Sequence, residues 1–214
     1  ETVTPPVTIN ETEELIKYLE GTDGGYINNA APAVVAATAV NTDILAGANI
    51  TVIDVRSAAD YALGHIQGAV NVAIADIVTY YKNNNLSSKT KVYVTWYTGQ
   101  SAGLAVAALR LSGYTNVFSL KWGMCSWAYP TSWNNAKLYG QTNPITKQMT
   151  ANAKNTAGSL PTFTSTGKTT GAEIFESRLA TVLTEGFTAI GVTRETVFAN
   201  LANYYIVNYW PVAE

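Results

Sequence analysis

Short β-branched apolar runs alternate along this chain with stretches whose apolar residues recur every three or four positions. The first pattern predicts buried strands and the second predicts amphipathic helices. ETEELIKYLEG predicts a short helix closed by Gly21, and residues 38–47 predict a second helix with glycine at its end. DGGYINNAAP between them reads as loop. ITVIDV (50–55) reads as a strand, AVNV (69–72) as a shorter one, and AIADIVTYYKNN as the helix that follows. KVYVT (91–95) is a buried strand, SAGLAVAALRLSG (101–113) a helix with Gly113 at its C-cap, and NVFSL (116–120) another buried strand. WGMCSW then opens a further helical turn. Strands alternating with helices of this length predict an α/β fold with a parallel sheet covered on both faces. Ligands of such sheets sit beyond the carboxyl ends of the strands. Three pieces therefore meet at one edge: residues 54–56, the loop 96–101 and residues 121–125.

The pattern divides the chain. Residues 7–139 hold the strand–helix alternation and form the first domain. Residues 140–170 are rich in Thr, Asn, Gly and Ser with little periodicity, and read as a linker or an ordered surface loop. GAEIFESRLATVLTEG is a helix, and it opens the region 171–214. YYIVNYWPVAE (204–214) matches ITVIDVRSAAD (50–60) in character, and TRETVFANLAN lies upstream of it as VNTDILAGAN lies upstream of the first strand. The chain thus carries an internal repeat at an offset of about 154 residues, whose second copy is incomplete. Asn208-Tyr209-Trp210 stands there in place of Asp54-Val55-Arg56. An apolar strand left unpaired is hazardous, so the second copy is expected to dock on the first domain or to be exchanged across a dimer.

Composition narrows the function classes. Only 13% of residues are charged and the net charge is −2, against an average charged content of about 25%. There is no basic block, which argues against nucleic acid as a partner. A surface covered by Thr, Asn, Ser, Gly and Tyr is commoner in exported proteins. The expectation is therefore a periplasmic, outer-membrane-associated or extracellular protein whose signal has been removed. No run is long and apolar enough for a transmembrane helix. A single cysteine, Cys125, precludes an internal disulfide. One histidine and no clustered carboxylates give no metal-ligating pattern, and no cofactor motif is present.

IDVRSAADYALGHIQGAVNV resembles the first signature of rhodanese-like domains: strand, Asp-x-Arg, an acid, Tyr, then Gly-His-Ile-x-Gly-Ala. YVTWYTGQSAGLAVAALRLSGYTNVFSLKWGMCSW resembles the second, with its loop, helix, Gly-Tyr, strand and Leu-x-x-Gly before a Trp. The resemblance covers roughly residues 36–130. It implies a three-layer α/β/α domain with a central parallel sheet, and an incomplete second rhodanese-like repeat at the C-terminus. It also implies sulfur transfer through a cysteine persulfide, commonly from thiosulfate to cyanide or a thiol. In the family that cysteine heads the loop after the strand, and here the position holds Trp96.

Persulfide chemistry needs a thiolate, and an indole offers none. Burying an indole, with roughly 150–250 Å² of surface, is worth on the order of 4–6 kcal/mol. Trp96 is therefore expected to fill or cover the pocket. Tyr97, Thr98, Gly99, Gln100 and Ser101 still lead into a helix N-terminus and can offer backbone donors to a small oxyanion. Cys125 is the fallback nucleophile, although a small packed thiol beside Trp127 is the preferred reading. His65 is expected near the opposite edge, holding its loop by hydrogen bonds, so Ser101 and Thr98 lack a base. Asp54, Arg56 and Asp60 are read as structural, and the resemblance implies that Arg56 pairs with Asp60. Trp122, Trp127, Tyr129, Trp133 and Tyr139 form an aromatic cluster, read as packing or as a protein-binding surface.

These observations lead to a catalytically inactive rhodanese-like protein of the cell envelope, acting as a binding or scaffold module. Its expected partners are another envelope protein, or itself through C-terminal exchange. Two alternatives stand beside it: a thiosulfate sulfurtransferase using Cys125, and an oxyanion sensor at 96–101.

Overall fold

In the computed structural model, which describes residues 9–21, 25–26, 33–127, 156 and 158–206, the sheet forms where alternation along the strands feeds two apolar faces. In β2 (Ile50–Asp54), Val52 packs into one core cluster and Ile53 into the other. In β4 (Lys91–Thr95), Val92 and Val94 face one side and Tyr93 the other. Successive side chains point to opposite faces, and both faces are apolar, so these strands can only be central. Three other strands complete the sheet: β1 (Val34–Val35), β3 (Val70–Asn71) and β5 (Val117–Leu120). The order is β1-β5-β4-β2-β3 and every pairing is parallel. β2 and β4 pair along their whole length, from Ile50 opposite Lys91 to Asp54 opposite Thr95. The α/β reading and the parallel sheet are thereby borne out.

The helices cover both faces. α1 is Glu11–Glu20, α2 is Ala37–Leu45, α3 is Ala58–Leu63, α4 is Ile77–Asn83 and α5 is Gln100–Leu111. α5 presents Ala102, Ala105, Val106, Ala108 and Leu109 to one face, and its small side chains let it lie close to the sheet. Val40 of α2 and Met124 of α6 (Met124–Trp127) cover the other. α5 ends two residues before the expected point. Ser112 is its C-cap, and Gly113 follows at φ 92°, the left-handed region glycine favours. Asp43 of α2 accepts a hydrogen bond from Lys91 Nζ at 2.8 Å and another from the Tyr93 hydroxyl, fastening α2 to β4.

Beyond the sheet, α7 (Gly171–Glu185) begins with a capping box: Glu173 N–H donates to the Thr170 hydroxyl, which donates to the Glu173 carboxylate. α7 lies directly on α1. A Cβ at Gly171 would come within 2.6 Å of Tyr18 Cβ, so only glycine admits that approach. Residues 158–170 carry no regular secondary structure, yet they are fastened to α1. The Glu11 carboxylate accepts the backbone N–H groups of Thr166 (2.8 Å) and Gly167 (3.1 Å), and the Ser165 and Thr166 hydroxyls. Residues 140–155 of the expected linker lie outside the described residues, as do Tyr129, Trp133 and Tyr139.

α8 (Arg194–Ala199) ends 154 residues after α2 does, and each is followed by a turn into extended backbone. The strand expected over 204–214 is absent from its described part, 204–206, and residues 207–214, with Asn208-Tyr209-Trp210, lie outside the described residues.

The Glu11 latch carries a pH signature. Hydrogen bonds from Ser165 and Thr166 lower its carboxyl from 4.5 to about 2. A carboxylate depressed on folding contributes stability above its unfolded value and loses it as pH falls through the folded one. Amide exchange at Thr166 and Gly167 is expected to be slow above pH 4.5, after correction for intrinsic rates, and to lose protection as the pH falls towards 2. In Glu11→Gln the protection is weaker and no longer follows that titration. Unchanged protection in the variant would contradict the latch.

Candidate functional site

The carboxyl ends of β2, β4 and β5 bring residues 54–56, 96–101 and 121–125 together, as the alternation predicts. Val55 N–H donates to Thr95 O at 3.0 Å, Met124 N–H to Trp96 O at 2.7 Å and Cys125 N–H to Tyr97 O at 3.0 Å. Gly123, at φ 55°, passes so close beneath the loop that a Cβ there would stand 2.0 Å from Trp96 O. The loop is therefore clamped from below. Gly99, at φ 105°, caps α5, whose first ladder bond is Gly103 N–H to Gly99 O at 2.8 Å. The preceding amides belong to the helix's first turn, where no intrahelical acceptor exists. The Thr98 hydroxyl donates to Gln100 Oε1, and Ser101 is buried.

Trp96 is half-buried and packs against the cluster that holds Val94 and Ala102. Its indole meets the Tyr97 ring edge-on, with centroids 4.9 Å apart. The Tyr97 hydroxyl donates to the Asp60 carboxylate at the start of α3, where Ser57 is the N-cap. Hydrogen bonds from Ser57 and then Tyr97 hold the Asp60 carboxyl below its usual range.

Arg56 forms its close ion pair with Asp54, and its charge also helps to lower the Asp60 carboxyl. Its Nη2 lies 2.7 Å from Asp54 Oδ2 and 2.7 Å from Gly64 O, and its Nε lies 3.0 Å from Asp54 Oδ2. Asp54 is fully buried at the end of β2, and side chains two apart share a face, so the guanidinium neutralises the acid that burial would otherwise penalise. Arg56 still touches the loop, its guanidinium lying 5.7 Å from the Tyr97 ring centroid. Asn71 donates to both Asp54 O and Arg56 O and locks the bend. His65 is exposed, stacks on Tyr61 at 3.8 Å and bonds Tyr61 O through Nδ1 at 2.8 Å. Its ring therefore engages α3 rather than the loop.

Cys125 is 7% exposed, and desolvation by burial raises its thiol pKa. That favours the protonated, weakly nucleophilic form at neutral pH. Trp127 packs against the Val52 side of the sheet. Two features were missed in the sequence. Tyr97 ties the loop to α3, although Ser57-x-x-Asp60 has the spacing of a capping box. Trp122 sits at φ 64° and is 42% exposed, with Lys121 Nζ 5.6 Å from its ring centroid. A left-handed conformation costs a non-glycine residue about 1–2 kcal/mol. No pattern of types signals that in advance. Among the described residues no three His, Cys, Asp or Glu side chains gather as a metal site.

The family model for the rhodanese-like domain matches residues 38–129. The chain is similar to a thiosulfate sulfurtransferase GlpE of Pseudomonas entomophila, at 34% identity over 90 residues, covering 40% of this chain and 81% of the relative. The counterpart in Pseudomonas fluorescens is 36% identical over 81 residues, covering 37% of this chain and 72% of the relative. Among solved structures, a rhodanese-related protein from Thermoplasma volcanium superposes with a TM-score of 0.40 at 23% identity, covering 46% of this chain and 92% of that one.

Arg56→Ala leaves the Asp54 carboxylate buried without its charge partner. A loss of about 3–5 kcal/mol in chemical denaturation is expected, the range for breaking a buried pair. A loss under about 1 kcal/mol, the range of exposed pairs, would contradict the pairing. In Tyr97→Phe the Asp60 carboxyl is expected to titrate at higher pH by NMR, because one of its donors is gone.

Proposed function

This chain belongs to the rhodanese-like domain family, and from that premise we propose that it is a member without sulfur-transfer activity, a binding or scaffold module of the cell envelope. The observation that carries the reading is the head of the loop. A thiolate there would sit at the α5 N-terminus, where the dipole lowers its pKa. Trp96 occupies that place, half-buried, and packs against the core cluster beneath it. The one thiol, Cys125, is buried and its pKa is raised. Burial both hides the sulfur and disfavours the form that attacks thiosulfate.

The envelope assignment rests on the low charged content, 13%. No helix among the described residues is long and apolar enough to cross a membrane. The partner is another envelope protein or a second copy of this chain, and the C-terminal repeat takes part in the second case. A further reading keeps the loop as a sensor for a small oxyanion. It is favoured by the first-turn amides of α5, which lie beside Trp96 as a built-in reporter.

Thiosulfate:cyanide transfer by the wild type and by Cys125→Ser is expected to stay at the rate of the reagents alone. Activity in the wild type that disappears in Cys125→Ser would overturn the proposal in favour of Cys125 chemistry. Titration with sulfate, thiosulfate, selenite and phosphate tests the sensor reading, which requires saturable tryptophan fluorescence changes at no more than millimolar anion.

A further inference from the structure

Among the described residues there are both an exposed extended segment and a length of strand edge without a neighbour. The segment is 204–206. It follows α8 as β2 follows α2, and Tyr204 has extended dihedrals (φ −119°, ψ 135°). In the first copy the helix buries Val40 and the strand is central. In the second, Phe198 and Leu201 are half-exposed, Tyr205 is 74% exposed and Ile206 is 64% exposed. An apolar extended segment of this kind acquires a sheet partner or aggregates.

That length of edge belongs to β2. β4 pairs with all of β2, but β3 pairs only with Ile53 and Asp54. Among the described residues no strand lies on the β3 side of β2 over 50–52, and a groove of about 440 Å³ opens there. Its lining is mixed: Ile44, Ile50, Val52, Val70 and Leu86 give apolar patches, and Thr51, Gln67, Asn84 and Lys89 supply polar groups beside them. A sheet edge flanked by such a lining accepts an added strand, with main-chain bonds supplying affinity and the pockets selecting side chains. Residues 204–206, Tyr-Tyr-Ile, are uncharged, with apolar bodies and two hydroxyls that suit such a mixed lining. They do not lie in the groove of their own chain, since they are exposed.

We propose that residues 204–206 of one copy add as a strand beside residues 50–52 of a second copy, prolonging the line of β3, and that the exchange is reciprocal. A reciprocal contact closes as a two-fold dimer instead of growing into a filament. The proposal rests on the reading that self-association covers the C-terminal repeat, and it assigns that contact a surface.

Sedimentation equilibrium of the full chain, together with mixed cross-linking, tests it. The mass is expected to shift from one chain to two with rising concentration, and Ile206→Asp to abolish the shift. Gln67→Cys lies at the exposed rim of the groove and Tyr205→Cys on the segment, both positions where a substitution spares the core. Mixing the two single variants under mild oxidation is expected to give a disulfide-linked dimer that neither variant gives alone. A chain that is monomeric at every concentration overturns both the self-association reading and the groove. A dimer in which Tyr205→Cys cross-links to itself, or in which the mixture does not cross-link, overturns the groove while leaving self-association standing.

Discussion

The Trp96 carbonyl accepts the Met124 N–H at 2.7 Å, and Gly123 lies too close beneath it for any side chain. This clamp is the constraint on which the candidate site depends. It joins the end of β4 to the turn after β5, so the loop cannot move without breaking the sheet's own edge. The loop then enters α5 through Gly99, whose positive φ turns the chain to present the helix N-terminus. Beside it the buried Asp54–Arg56 pair holds the bend after β2, and Tyr97 bridges from the loop to Asp60. The supports of the loop are in place around Trp96, a residue that carries no thiol.

The division between scaffold and chemistry has a physical basis. The clamp is made of main-chain groups, so it is indifferent to the side chain at position 96. An indole there gains from core contact and from the Tyr97 edge, which keeps the loop fold stable without a thiol. Cys125 lies on the same edge, but its main chain is what contacts the loop, through the bond to Tyr97 O. Its buried sulfur has no corresponding advantage as a nucleophile.

Much of the fold was legible because the apolar alternation of ITVID and KVYVT leaves both faces to be covered, and because small residues mark the α5 face. The meeting of 54–56, 96–101 and 121–125 followed from that topology alone. What escaped was decided by geometry that residue types do not encode. Arg56 had two acids within reach in sequence, Asp54 and Asp60, and its close ion pair goes to the buried one, where an unpaired charge would cost most. The left-handed Trp122 gave no signal, since such conformations are the province of glycine. The sequence reads residues 193–214 as a second copy, and α8 ends 154 residues after α2, but residues 204–206 form no strand. A strand requires a partner, which periodicity within a segment cannot supply.

On the function proposed here the scaffold persists without a sulfur carrier. Intact-protein mass spectrometry after incubation with excess thiosulfate, before any reductant is added, measures this most directly. The mass is expected to stay unchanged. A gain of sulfane sulfur that maps to Cys125 and is removed by cyanide would contradict it.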